Sequence, residues 1–89
     1  MRGNQAQLQE LTRELGKAKQ AIKNEPDSDE RDWIVGALAD AEDAAKNADQ
    51  EGITNALKRL KPLKDKVLGL LEKVGVGLAV AAIKAAVGF

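Results

Sequence analysis

The last sixteen residues, VGVGLAVAAIKAAVGF from Val74 to Phe89, carry a single charge, Lys84. A helix that is apolar on every side has to be covered by its own core, by another chain or by lipid, because water penalises each exposed apolar face. How much cover is available depends on the rest of the chain. Of its 39 apolar residues 15 are Ala, Leu, Ile and Val supply 21, and the only large aromatics are Trp33 and Phe89. A chain of 89 residues is close to the size at which one core gives only a few kcal/mol of net stability. The tail is therefore expected either as the central helix of its own bundle, screened by the preceding segments, or as a helix that they leave partly uncovered for a second copy or for lipid.

Ala, Leu, Glu, Lys and Gln dominate, Pro occurs twice, and β-branched residues do not alternate outside the tail. These features predict an all-α chain, a single helical domain over 1–89 built as a small three- to four-helix bundle.

Over 4–24 the apolar positions Leu8, Leu11, Leu15, Ala18 and Ile22 step by three and four, which places them on one stripe of a first helix. Asn24-Glu25-Pro26 ends it, because the residue before a proline avoids the helical region. A second helix is expected over 28–49, with Ile34, Leu38, Ala41, Ala45 and Ala48 on one face and Trp33, Ala37 and Ala44 beside it. Asp27 and Glu30 have capping-box spacing at its start, and Asp29 and Asp32 suit the positive end of its dipole. Its alanine-rich surface lets helix axes approach closely, so the first two helices should form an antiparallel hairpin. Asp49-Gln50-Glu51-Gly52 reads as a turn.

The third stripe is Ile53, Leu57, Leu60, Leu63, Val67, Leu70 and Val74, a helix over 53–74. Pro62 falls inside it and predicts a kink near Leu60 or a start close to Lys61. Gly75 and Gly77 mark a further break, after which the tail forms a helix over 76–89 that folds back or projects outward.

Charge divides along the chain: residues 1–24 carry a net +3, residues 25–52 a net −8 and residues 53–89 a net +5. An acidic helix between two basic ones is what an internally complementary bundle presents. The basic run KRLKPLKDK, Lys58 to Lys66, could instead meet nucleic acid or anionic lipid, but no aromatic residue interleaves it and the whole chain is not basic. A nucleic-acid partner is not expected.

Catalysis is poorly supplied. The chain has no His, Cys or Tyr, and its only side-chain hydroxyls are Thr12, Ser28 and Thr54, so a nucleophile beside a base has almost no candidates. The acidic group Asp27, Asp29, Glu30 and Asp32 fails as a calcium loop, since Arg31 and Leu38 stand where oxygen ligands would be needed. No catalytic residue, metal or cofactor is expected. The N-terminal residues hold no apolar signal core, and no uncharged stretch reaches transmembrane length. Those two observations predict a cytoplasmic protein, with association to a membrane surface as the other option.

The tail carries the sharpest signal. Val76, Val80, Ile83 and Val87 form a bulky stripe, and Gly77, Ala81 and Ala85 recur at every fourth position, a spacing that lets helix backbones come close. The expected contact surface is Leu78, Val80, Ala81, Ile83, Ala85, Val87 and Phe89. The three segments LQELTRELGKAKQAI, DERDWIVGALADAEDA and ALKRLKPLKDKVLGLLEKVGVGLAVAAIKAAVGF resemble helical segments that close some uncharacterised bacterial multidomain proteins, including effector and defence-type proteins. That resemblance implies an adaptor, assembly or membrane-facing appendage. Two functions are expected on these grounds. One is a non-enzymatic helical protein that joins itself or another helical protein through its apolar C-terminal helix; the other is a membrane-associated or membrane-permeabilising protein whose tail enters lipid.

Overall fold

The computed structural model describes residues 2–88, with side chains from residue 6 onward. It is all-helical. The elements are α1 (Arg2–Lys23), α2 (Asp29–Lys46), α3 (Gln50–Lys58), a 3-10 turn (Lys61–Leu63), α4 (Lys64–Glu72) and α5 (Gly77–Val87). The expected count of three to four helices is corrected to five among the described residues, and the extra division has a local cause.

α1 and α2 form the main hairpin, and α3 packs on α2 while α5 packs on α3, α1 and α4. α1 runs out at Pro26, and its free carbonyls find a partner in the next helix: Arg31 Nη1 donates to the Lys23 carbonyl at 3.1 Å and to that of Glu25 at 3.4 Å. The same guanidinium holds Asp27 at 2.8 Å. Asp27 is therefore not the cap of α2. Ser28 is, its hydroxyl accepting from the Arg31 N–H at 3.0 Å, while Asp29, Glu30 and Asp32 occupy the first turn as the dipole favours.

α2 ends earlier than 49, in a turn of the Schellman type. The Asp49 N–H reaches back to the Ala44 carbonyl at 2.8 Å and the Ala48 N–H to Ala45 at 3.1 Å, with Ala48 at φ +56° in the left-handed region. Asp49 then caps α3 by accepting from the Gly52 N–H at 2.9 Å. A β-carbon on Gly52 would stand 2.5 Å from an Asp49 carboxylate oxygen, so the cap and the glycine require each other.

The helix expected over 53–74 is two helices. Pro62 has no N–H, and its ring would clash with the carbonyl four residues back, at Lys58, where α3 stops. The chain passes through the 3-10 turn, with Pro62 in its first positions, and restarts at Lys64. A second break follows where glycine predicted it: Gly75 takes φ +83° and α5 begins at Gly77. The tail folds back onto the bundle.

The core is wholly apolar among the described residues, with Leu15, Ile22, Ile34, Leu38, Leu57, Leu60, Leu71 and Ile83 as its largest fully buried members. Val76, Ala79, Ile83 and Val87 bring α5 into it. This nearly matches the bulky stripe read from the sequence, except that Ala79 takes the inward place and Val80 is only partly buried. The acidic second helix is paired as its charge suggested. Lys19 on α1 meets Glu42 at 2.7 Å, Arg59 meets Asp40 at 2.6 Å, and Lys66 on α4 meets Glu30 at 2.8 Å.

Candidate functional site

The seven residues expected to form one contact surface are divided by the fold. Ile83 and Val87 point into the chain's own core, 0% and 4% exposed, and present nothing outward. Leu78 and Val80 are half-buried against that core, Ala81 and Ala85 are exposed, and Phe89 lies outside the described residues. The small-residue ladder Gly77, Ala81, Ala85 faces away from the bundle. The core therefore shields the inner face of the tail and leaves its outer face uncovered.

Beside that outer face, along the half-buried flank of α5, lies a groove of about 300 Å³ where α1, α3 and α5 converge. Leu78, Ala82, Ala85 and Ala86 form one wall, Leu8 and Leu11 of α1 a second, and Ile53 and Leu57 of α3 the floor, with Gln7, Gln50 and Thr54 at the edges. None of these lining residues is charged. In a chain of which 31% is charged, an uncharged concavity assembled from three separate helices is a departure from the rest of the surface. Leu8 was legible in the sequence only as the first member of the α1 stripe. Its place on the groove follows from burial along that stripe: Leu15, Ala18 and Ile22 are sealed, Leu11 is 9% exposed and Leu8 is half-buried.

The start of α5 is fixed by a polar bond from far along the chain. Val76, at the N-cap position, has no side-chain oxygen to offer, and the third N–H of the helix, that of Ala79, donates to Glu14 Oε1 at 2.9 Å. A carboxylate on α1 thus performs the capping that the local sequence omits, and its charge meets the positive end of the α5 dipole.

A second surface feature joins residues the sequence keeps apart. Trp33 is 52% exposed, and its indole N–H donates to the Arg59 carbonyl at 2.8 Å, which seats the ring beside the junction of α3 and the 3-10 turn. The basic run that lacked an aromatic residue in sequence acquires one in space.

The hydroxyls are engaged or peripheral. Thr12 donates to the Leu8 carbonyl at 2.7 Å, Ser28 caps α2, and Thr54 sits at the edge of the groove. The acidic residues at the start of α2 diverge, Asp27 and Asp32 toward Arg31 and Glu30 toward Lys66. Among the described residues no three carboxylates converge as a metal ion would need. No protein-family model, curated protein or solved structure matches the chain.

Proposed function

We propose that the chain is a non-enzymatic helical module that associates with a second copy of itself through the groove between α1, α3 and α5. The uncharged lining of that groove is the observation that carries the reading. Covering such apolar surface is the main favourable term in association, and a neutral lining avoids the desolvation that buried charges would impose. A stable interface needs about 20–30 residues a side, so the groove is its centre and the adjoining outer face of α5, with Ala81 and Ala85, extends it. Exposed small side chains there let a partner helix approach closely.

Entry of the tail into lipid is the less favoured reading on geometry. Among the described residues no helix is long and apolar enough to cross a membrane. α5 has 11 residues, about 16 Å at 1.5 Å each, against a hydrocarbon core of about 30 Å. Its inward side chains would also have to leave the protein core.

Light scattering across a concentration series tests association. The full chain should form a defined oligomer, and Leu78→Asp with Ala85→Asp should return it to a monomer that keeps its helical content. A full chain that stays monomeric at high concentration removes the reading.

A further inference from the structure

The connection between α4 and α5 points to a conformational device that goes beyond the groove: we infer that α5 exchanges between two copies, each α5 seating on the other bundle, with residues 64–87 straightened into one helix that bridges them. Residues 73–76 are the whole connection, and among them only Gly75, at φ +83°, takes the left-handed angle that folds α5 back. A β-carbon built on Gly75 meets nothing within 4 Å, so the backbone angle and not close packing calls for glycine there. The fold-back also leaves α5 without a local cap. Val76 has no side-chain oxygen to offer, and the bond to the Ala79 N–H comes from Glu14 on α1.

The apolar pattern runs through that connection in helical register. On a continuous helix Val67, Leu71, Val74, Leu78, Ala82 and Ala85 fall within an arc of about 80°. In the folded-back form the stripe is broken: Val67 and Leu71 are buried, Val74 stands 38% exposed just past the end of α4, and Ala85 is exposed. The residues by which α5 enters the core, Val76, Ala79, Ile83 and Val87, fall on a second arc centred about 150° away. A straight helix over 64–87, about 36 Å long, therefore faces one bundle through α4 and a second, on its opposite side, through α5. α5 packs mainly on α3 and α1, whose surfaces a second copy offers unchanged, and less on α4, the helix that leads into it. Exchange keeps the core contacts of α5. The two forms then differ in the conformation of residues 73–76 and in the entropy of joining two chains.

The bond from the Ala79 N–H to Glu14 reports which copy each α5 occupies. Full chains labelled with nitrogen-15 and full chains labelled with carbon-13 are mixed in urea and refolded together, and the nuclear Overhauser contact between the Ala79 amide and the Glu14 methylene groups is read. Exchange places that contact between differently labelled chains, whereas association through the groove keeps it within each chain. Gly75→Ala strains the left-handed angle and suits a straight helix, so it should raise the equilibrium constant for the exchanged dimer by about thirtyfold or more, the strain being relieved once in each chain. D-alanine placed at position 75 by chemical synthesis favours the left-handed angle and should abolish the contact between chains. A contact confined to single chains in both wild type and Gly75→Ala overturns the inference, as does an exchanged fraction that Gly75→Ala does not raise. If Gly75→Ala does not refold, the other two chains decide: a contact between wild-type chains that is lost with D-alanine supports exchange, and any other result overturns it. A dimer that keeps the contact within each chain and dissociates with Leu78→Asp and Ala85→Asp sinks the exchange and leaves the groove reading standing. A contact between chains that survives those two substitutions supports exchange without the groove.

Discussion

Ala48 shows how a single backbone angle can carry a measurable cost. It sits at φ +56°, in the left-handed position that ends α2, where the β-carbon crowds the backbone and glycine is the usual occupant. The turn is held by the reach-back bonds of Asp49 and Ala48, so the strain is imposed by the fold and not relieved by it. Ala48 is exposed, and no core packing depends on its methyl group. Ala48→Gly should therefore raise stability by about 0.5–1 kcal/mol, read as a higher urea midpoint at unchanged slope. An unchanged or lower midpoint would show that glycine's freedom in the unfolded chain outweighs the strain. Sequence periodicity placed Ala48 on the inner face of the second helix, because alanine gives no warning that the helix has already ended. Four residues on, Gly52 was legible as a turn residue, but its actual constraint, the Asp49 carboxylate within reach of any added β-carbon, is visible only in three dimensions.

At the scale of elements, α1 and the start of α2 were readable because proline, a capping hydroxyl and a regular apolar stripe agree with one another. The third stripe misled because α3 and α4 share one apolar pattern across Pro62: the pattern records which residues face the core and is silent about whether the backbone between them is continuous. α5 posed the opposite difficulty, since a segment apolar on all sides gives periodicity little to distinguish. Its inward face is chosen by tertiary contacts, and one of them is polar. Glu14 supplies the cap that Val76 cannot, so the two helices are coupled through the Ala79 N–H. Glu14→Ala should cost about 1 kcal/mol and raise amide exchange first over residues 78–81, while Glu14→Gln, which keeps an acceptor oxygen and loses the charge, should cost less. Equal exchange in the wild-type chain and in Glu14→Ala would show that the α5 terminus does not depend on this carboxylate.

At the scale of the whole molecule the question is whether α5 belongs to the fold or merely rests on it. If the bundle were complete without it, a chain ending at Val74 would be a soluble, cooperatively folded protein with an exposed docking face removed. The core argues otherwise. Among the described residues it contains no aromatic side chain, and Val76, Ala79, Ile83 and Val87 are all members of it. Burying a Val or Ile side chain contributes about 1.5–3 kcal/mol, so the three branched residues alone account for several kcal/mol. A domain of this size has a total of only about 4–13 kcal/mol at 0.05–0.15 kcal/mol per residue. Removing α5 would also uncover the surfaces of α1, α3 and α4 on which it packs. A chain truncated after Val74 should therefore lose cooperative thermal unfolding and aggregate, and Ile83→Ala in the full chain should cost about 2–5 kcal/mol, whereas Ala81→Ser, on the exposed side of the same helix, should change stability by less than about 0.5 kcal/mol. Circular dichroism melts of the three variants decide it: a truncated chain melting sharply at the wild-type midpoint would mean that the first four helices form a complete core and that α5 is an appendage.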